Sequence, residues 1–389
     1  MTTLRGITWD HPRGLDPMRA TATRFAEEHT GMRIDWVARS LQAFGEESIE
    51  ELAREYDLLV IDHPFVGTAA RSGCLLQLDS YLPSAFLAAQ ERESVGPSHR
   101  SYAYDGHQWA LAIDAAAQVS AYRPDLLAMA DRSVPLSWAE VFELADLAGR
   151  ARVAMPLNPV NVICSFLTLC ANHGEPPGRE ETRLVGRATG RIALDILRRL
   201  IERLHPESLD FTPPRLLDRM STTNDIVYCP LLFGYSNYAR RGYAPYLCRF
   251  ANIPSVAGSG LYGALLGGAG LAISSRCQAV SAACAYAQWV ASPDCQRTVY
   301  VASGGQPANR LAWTDPAVNA ATSDFFDDTL ETLDHAYVRP RHDGYIQGHD
   351  ISGLVLHDYL RNGGSERSTL DRLDALYVGS RLAASVARP

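Results

Sequence analysis

The sequence predicts an α/β protein of two lobes. The chain has 389 residues, which is more than a single hydrophobic core usually supports, so two lobes are the default expectation. Roughly its first hundred residues alternate β-forming and helix-forming segments, a pattern typical of parallel strands joined by crossover helices. Two of these strands end in the same tripeptide, Asp-His-Pro, at residues 10–12 and 62–64. Ligands of open α/β sheets bind at the carboxyl ends of strands.

The elements follow from local patterns. In the first part of the chain, we predict strand Leu4–Trp9, helix Pro17–His29, strand Arg33–Val37, helix Ser48–Glu55 and strand Tyr56–Asp62. Further along, we predict strand Trp109–Asp114, helices Ser137–Arg150 and Ile192–Leu204, strand Asp225–Pro230 and helix Ala279–Ala291. Ser137 followed by Glu140 is a capping box. The uncharged, glycine-rich segment from Gly258 to Ser274 indicates a strand with tight turns and close backbone approach.

Composition excludes several classes of function. The net charge of −8 argues against nucleic acid as a partner, because phosphate binding needs a basic face. All 36 basic residues are arginine, so Schiff-base catalysis and a Walker lysine are excluded. No apolar run reaches the length of a membrane span, so we expect no membrane insertion. No cofactor is implied.

The cysteines and the first residues of the chain indicate in which cellular compartment the protein is expected. Eight cysteines occur without Cys-x-x-Cys spacing, most of them in apolar surroundings. This usage favours a reducing compartment over a disulfide framework. As written, the chain starts without a secretory leader. We therefore expect a cytoplasmic protein, or an extracytoplasmic one if a leader has been removed.

A late segment carries a family resemblance. The glycine-rich strand is followed by a helix ending in Ala-Tyr-Ala-Gln-Trp-Val-Ala-Ser-Pro-Asp-Cys-Gln and then by the loop Gly-Gly-Gln-Pro-Ala-Asn. This order resembles that of family 1 extracellular solute-binding proteins, the sugar-binding components of ABC importers. The resemblance extends to Asp114 at the first crossing between lobes, and to Arg339-Pro340-Arg341 before the terminal helices. The absent leader, the absent lysines and the many cysteines depart from the family.

The resemblance implies a periplasmic-binding-protein-like fold of type II. Lobe one would comprise residues 1–112 and 260–310, and lobe two would comprise residues 113–259 and 311–389. A small polar ligand, sugar-like or anionic, would bind in the cleft as the lobes close. An ABC permease would be the partner if the protein is exported.

The repeated Asp-His-Pro supplies the first candidate residues. Asp10, His11, Asp62 and His63 would line the cleft from lobe one. The alternative is that each Asp caps the following helix and each His packs locally. An enzyme on the same scaffold would use these four residues for acid–base chemistry on a small metabolite. Metal-ligand spacing such as His-x-x-x-His is absent, so no metal site is predicted.

The remaining candidates are predicted ligand contacts. Arg13 would clamp an anionic group, and Phe233, Tyr235 and Asn237 offer aromatic faces with polar tips. Surface or core packing is the alternative for these aromatic residues. The other predicted contacts are Trp9, Trp109, Asp114, Asn158, Gly268, Gln306, Arg341 and Tyr345. For Asn158 an Asx turn is the alternative, and for the late polar cluster around Arg341 it is a solvated hinge.

Overall fold

The computed structural model describes residues 2–149, 152–256 and 262–386. Its strands are β1 Thr2–Trp9, β2 Met32–Arg39, β3 Leu58–Ile61, β4 Ala103–Tyr104, β5 His107–Gln108, β6 Leu111–Tyr122, β7 Tyr228–Phe233, β8 Arg249–Ala251 and β9 Leu266–Ile273. The predicted helix end at Arg150, the start of the glycine-rich segment at Gly258 and the predicted lobe boundary at 259/260 lie outside the described residues.

Along the chain, the α-helices lie between the strands and after the last strand. They are α1 Pro12–Glu28, α2 Leu41–Glu46, α3 Ile49–Glu55, α4 Val66–Ser72, α5 Ser84–Glu93, α6 Pro124–Met129, α7 Trp138–Ala148, α8 Pro159–Asn172, α9 Arg187–Ile201, α10 Pro213–Thr222, α11 Val280–Ala291, α12 Pro293–Cys295, α13 Arg310–Trp313, α14 Pro316–Ala321, α15 Phe325–Asp334, α16 Tyr345–Asn362 and α17 Glu366–Val386. Short 3₁₀ turns occupy His63–Phe65, Leu78–Ser80, Arg100–Tyr102, Pro206–Leu209 and Ser236–Ala239. No helix in the described ranges is both long enough and apolar enough to cross a lipid bilayer.

The main sheet has the strand order β2-β1-β3-β9-β6-β7, and β8 also pairs with β6. β1 is parallel to β2 and to β3, which confirms the predicted parallel start of the chain. β9 is antiparallel to both β3 and β6. A strand from the last third of the chain therefore lies between two strands from the first third.

β6 connects the two halves of the sheet. Its first part, Leu111–Ala117, pairs with β9, and its last residues, from Gln118 to Tyr122, pair with β7 and β8. The predicted strand ends at Asp114, but the observed strand continues to Tyr122 because the following alanine-rich stretch is buried on both faces. Asp114 therefore lies inside a continuous strand, at the break in its register with β9.

Two prolines behave differently from the prediction. Helix α1 begins at Pro12 rather than Pro17, because the His11 side chain accepts a hydrogen bond from the Arg13 amide and caps the helix, while proline suits the first helical position. Pro230 does not end its strand but lies inside β7, where the register with β6 shifts. A β-bulge of this kind tolerates a missing amide donor.

The hydrophobic core consists of two clusters. The smaller one draws its residues from 4–113 and 269–300 and includes Trp9. Trp9 is only 4% exposed, and its ring lies against Gly14 and Phe44. Trp109, 2% exposed, belongs to the larger cluster, and its indole nitrogen donates to the Tyr104 carbonyl oxygen at 2.9 Å. This corrects the expectation that these two rings stack on a ligand, because both are fully used in core packing.

A π-helical turn, Gln296–Tyr300, continues directly from α12. The buried Gln296 side chain donates to the Val290 carbonyl oxygen at 3.0 Å and accepts from the Ala308 amide at 2.7 Å. It thereby fixes the loop 304–309 against the preceding helix.

Candidate functional site

Arg13 and Asp114 form a buried ion pair between the start of α1 and the middle of β6. The Arg13 guanidinium donates from Nε to Asp114 Oδ2 at 2.9 Å and from Nη2 to Asp114 Oδ1. Its third nitrogen, Nη1, donates at 2.7 Å to the carbonyl oxygen of Gly234, the residue after β7. The guanidinium also lies 4.8 Å from the centre of the Tyr235 ring. A bidentate pair of this type fixes orientation as well as charge.

Burial dominates the electrostatics of this pair. Desolvation raises the pKa of Asp114, although Arg13 opposes the shift. Burial also raises the pKa of Tyr235 to about 12. His11 lies edge-on to the Tyr235 ring with 4.7 Å between ring centres, and burial together with Arg13 lowers its pKa to about 4. His11 is therefore neutral at physiological pH.

Gln306 and Gly268 hold Asp114 in place through the backbone. The Gln306 side chain donates to the Ala115 carbonyl oxygen at 2.8 Å and accepts from the Ser236 amide at 3.1 Å. Gly268 has φ +101°, and a Cβ there would overlap the Asp114 carbonyl oxygen. Both residues were predicted as ligand contacts, and the structure places both against Asp114. We call Arg13, Asp114, Tyr235, Gln306 and Gly268 the Arg13 cluster.

The segment after β7 adds polar atoms to this cluster. Phe233 is half-buried against Gly267, and Asn237 is buried beside Gly304. Within the described residues, the Ser236 hydroxyl and the Asn237 Oδ1 are buried without a hydrogen-bond partner. Ser236 was missed from the sequence, because a serine in a loop gives no signal of its own.

Asp62, His63 and Arg339 form the second group. The amide of His63 donates to Asp62 Oδ1 at 2.8 Å, and Nη2 of Arg339 donates to Asp62 Oδ2 at 2.6 Å. Asp62 thus caps the short 3₁₀ turn that follows β3, which is the local role foreseen as the alternative. Nδ1 of the fully buried His63 lies 3.0 Å from Asp62 Oδ1, and its Nε2 has no hydrogen-bond partner in the described chain. We call these three residues the Asp62 cluster.

The charges of the Asp62 cluster are fixed by burial and pairing. Burial alone would raise the pKa of Asp62, but Arg339 and His63 lower it well below its ordinary value. Burial lowers the pKa of His63 to about 4, even though Asp62 favours its protonation. Neither group titrates near neutral pH, which does not favour a role as general acid or base.

Tyr345 lies beside the Asp62 cluster at the start of α16. It is buried, and burial raises its pKa although Arg339 opposes the shift. Nearby, Cys164 Sγ lies 3.9 Å from His349 Nε2, and His349 Nδ1 lies 3.4 Å from Asp350. Burial raises the pKa of the Cys164 thiol to about 12, so this trio does not provide an activated nucleophile.

Tyr102 lies between the two clusters. Burial raises the pKa of its phenol well above the usual value, and the carboxylates of Asp62 and Asp114 both add to the rise. Its hydroxyl donates to the Ile61 carbonyl oxygen at 3.3 Å, and its ring covers Gly270. Tyr102 was not predicted as a site residue, because the stretch that contains it has the composition of a polar loop.

Three further predicted site residues are not members of these clusters. Asp10 is exposed, although the parallel register Ile7↔Leu59 places it level with Asp62 on the neighbouring strand. Asn158 stands at the N-terminus of α8, where its Oδ1 accepts from Asn161 Nδ2 at 2.5 Å. Arg341 donates from Nη1 to the carbonyl oxygens of residues 100, 101 and 103. No group of His, Cys, Asp and Glu within the described ranges has the arrangement of a metal site.

Charged and aromatic side chains therefore meet where the first and last parts of the chain approach each other at the ends of β1, β3 and β7. This arrangement is that of a two-lobed, periplasmic-binding-protein-like fold, with a cleft between the lobes. The resemblance seen in the sequence is confirmed at the level of the fold.

Comparison with solved structures agrees with this assignment. Maltose-bound MalE3 of T. maritima is 17% identical with TM-score 0.79, covering 96% of this chain and 98% of its own. A Thermotoga lettingae ABC transporter solute-binding protein bound to alpha-D-tagatose is 15% identical with TM-score 0.82, covering 97% and 100%. A ribitol complex of such a protein from Agrobacterium radiobacter K84 is 18% identical with TM-score 0.79, covering 97% and 98%. No family model matches the sequence, and no curated protein does. At these identities the likeness establishes the fold.

Proposed function

We propose that this protein binds a small polar ligand, a sugar or a polyol, between its lobes as a solute-binding protein. The observation that carries the proposal is that several buried polar atoms at the lobe contact have no partner in the described chain, among them His63 Nε2, Ser236 Oγ and Asn237 Oδ1. A buried polar atom without a partner costs free energy. Ligand hydroxyl groups can donate to and accept from such atoms, so a polyhydroxylated ligand suits them.

Binding would exchange contacts between the lobes for contacts with the ligand. In the present arrangement Arg13 contacts the Gly234 carbonyl oxygen and Arg339 holds Asp62. Hinge opening would expose these groups, and closure over a ligand would bury them again. The Tyr235 ring, already in contact with Arg13, offers a face for stacking on a sugar ring.

Other features support this proposal. The three structural neighbours described above are complexes with maltose, tagatose and ribitol. We retain the proposed lobes, 1–112 with 260–310 and 113–259 with 311–389, and the separate core cluster from residues 4–113 and 269–300 supports that division.

The partner and the compartment depend on export. If the protein is exported, we propose that it delivers its ligand to an ABC permease. All eight cysteines are free, and seven of them are buried. This favours a reducing compartment, in which the ligand would be a cytoplasmic metabolite.

The test is a thermal-shift panel of sugars and polyols, beginning with maltose, tagatose and ribitol, followed by calorimetric titration of any hit. We expect at least one to stabilise the protein and to remain chemically unchanged by mass spectrometry. Ser236→Ala should weaken binding of the hit several-fold without lowering the stability of the free protein, because the hydroxyl has no partner to lose. Ser275→Ala, at an exposed position, is the matched control. Absence of stabilisation by every sugar and polyol would contradict the proposal.

A further inference from the structure

A groove of about 1020 Å³ lies next to the Asp62 cluster and is lined from both sides of the lobe contact. Arg100 and Tyr104 line it from the segment before β6, and Arg179 lines it from the loop after α8. The segment 334–342, which leads into α16, forms its floor. We call this space the basic groove, because its lining includes five arginines: Arg100, Arg179, Arg339, Arg341 and Arg381.

The acidic residues near the groove do not neutralise it. Asp334 is the one carboxylate in the lining, and it already forms an ion pair with Arg310 outside the groove. Arg339 is paired with Asp62, and Arg381 is paired with Glu181 at 2.5 Å. Two of the five arginines thus have a carboxylate partner.

The other three arginines of the basic groove have no carboxylate partner in the part of the chain that the structure describes. The guanidinium groups of Arg100 and Arg179 form no ion pair or hydrogen bond there, and both side chains are exposed. Arg341 is half-buried and bonds only to carbonyl oxygens, and only through Nη1. Burial lowers its pKa, and Arg100 adds to that shift. The groove therefore concentrates positive charge in a chain whose net charge is −8.

Isolated exposed arginines need no ligand, since water solvates them. Arg341 differs, because it is half-buried without a carboxylate and lines a space that two other unpaired arginines share. Several guanidinium groups around one space are typical of binding sites for phosphate and carboxylate groups, which they contact through paired hydrogen bonds. The volume also lies near the range of small-molecule pockets, roughly 300–1,000 Å³.

We propose that the basic groove binds the anionic group of the ligand, so that the ligand is a sugar or polyol carrying a phosphate or a carboxylate. This inference deepens the proposed function and rests on it. Arg339 connects the two parts of the site, because it lines the groove and also binds Asp62. The hydroxyl groups would lie toward the Asp62 cluster, and the oxyanion would lie among Arg100, Arg179 and Arg341.

The experiment is calorimetric titration at low ionic strength with four probes: glucose, glucose 6-phosphate, glucuronate and inorganic phosphate. We expect at least one of the three anions to bind at least tenfold more tightly than glucose. The two charged sugars distinguish a phosphate from a carboxylate. Added salt should weaken their binding and leave neutral sugars unaffected.

Two variants test whether the basic groove is the site of anion binding. Arg100→Ala combined with Arg179→Ala removes two exposed side chains that bond to nothing else, so the protein should fold and lose anion affinity by about tenfold or more. Arg132→Ala is the matched control, because Arg132 is also exposed and its guanidinium is unpaired within the described ranges. It should bind the anions as the unmodified protein does.

Three outcomes would contradict the inference, and each of them can be distinguished from a result that contradicts the proposed function. Neutral sugars or polyols that bind while all three anions fail to bind would refute an anionic ligand and leave sugar binding intact. Anions that bind equally well to the double variant would refute the groove as their site. Failure of all four probes would also refute an anionic ligand, while the neutral panel decides the proposed function independently.

Discussion

The guanidinium of Arg339 lies 2.6 Å from the carboxylate of Asp62, a residue 277 positions earlier in the chain. Asp62 follows β3, whereas Arg339 lies on the segment that leads into the terminal helices. Both side chains are largely buried, with exposures of 8% and 19%. The pair therefore ties the returning chain to the strand end where the candidate site lies.

Breaking the ion pair between Asp62 and Arg339 should lower the free energy of unfolding. Asp62→Asn leaves the buried Arg339 charge without its carboxylate, and we expect a loss of about 3–5 kcal/mol in the free energy of unfolding. Urea denaturation measures it. Adding Arg339→Met to Asp62→Asn should recover part of the loss, because the unpaired charge is gone. Arg33→Ala, which breaks an exposed pair with Asp35, should leave the unfolding midpoint unchanged.

Stability should fall as the pH drops from about 6.5 toward 4. Burial lowers the folded-state pKa of His63 to about 4, below the ordinary histidine pKa of about 6.5. The unfolded chain therefore binds more protons than the folded protein in this window, so the free energy of unfolding rises with pH and is lost on acidification. A histidine shifted this far contributes about 2 kcal/mol of destabilisation at pH 5.

The contribution of His63 can be isolated. His63→Gln should make the dependence of the urea midpoint on pH between 4 and 6.5 shallower. His11, His99 and His342 are shifted in the same direction to about 4, so part of the slope should persist. An unchanged slope in the variant would show that His63 is accessible to protons in the folded state.

Gly268→Ala should destabilise the protein. The glycine has φ +101°, and a Cβ there would overlap the Asp114 carbonyl oxygen, so backbone strain and a shift of β6 add together. We expect a loss of about 1–3 kcal/mol from the dihedral strain alone, measured by thermal or urea unfolding. Gly379→Ala in α17 has no atom within 4 Å of the new Cβ. It should be neutral or stabilise by up to about 1 kcal/mol, and equal effects of the two changes would contradict the assigned backbone geometry.

Cysteine accessibility gives a further test of the packing. Cys74 is half-buried, whereas the other seven thiols are buried. In the native protein a thiol reagent such as DTNB should therefore modify one cysteine quickly, and in urea it should modify all eight. Cys74→Ser should abolish the fast phase. A second fast thiol in that variant would mean that the core described here opens readily.

Local patterns were sufficient to predict most elements but not the pairing of distant strands. Asp-His-Pro correctly marked the ends of β1 and β3, since proline lacks the amide donor that a central strand needs. The insertion of β9 between β3 and β6 depends on contacts between residues more than a hundred positions apart, and strand periodicity carries no information about them. The length of β6 was missed because a buried alanine-rich run lacks the alternation that identifies a strand.

The sequence identified Arg13 and Asp114 as ligand contacts but did not show that they pair with each other, as they do in the structure. Their contact with a ligand stays a prediction. Trp9 and Trp109 fill the core instead, because a tryptophan at a strand end suits a core as well as a ligand. Gly14 and Phe44 pack against Trp9, and the Tyr104 carbonyl oxygen accepts a hydrogen bond from Trp109. Tyr102 was missed, since its position between two carboxylates arises from chain folding alone.

The π-helical turn Gln296–Tyr300 sets the direction in which the chain leaves the helix and enters the loop 304–309, which contains Gln306 of the Arg13 cluster. A π-turn holds one residue more than an α-turn, and each residue of a helix advances the direction of the chain by about 100°. Deleting one residue there would rotate the loop 304–309 away from Ala115 and Ser236, which Gln306 joins. Length variation in this turn should therefore be far less acceptable than length variation in the exposed loops of the same chain.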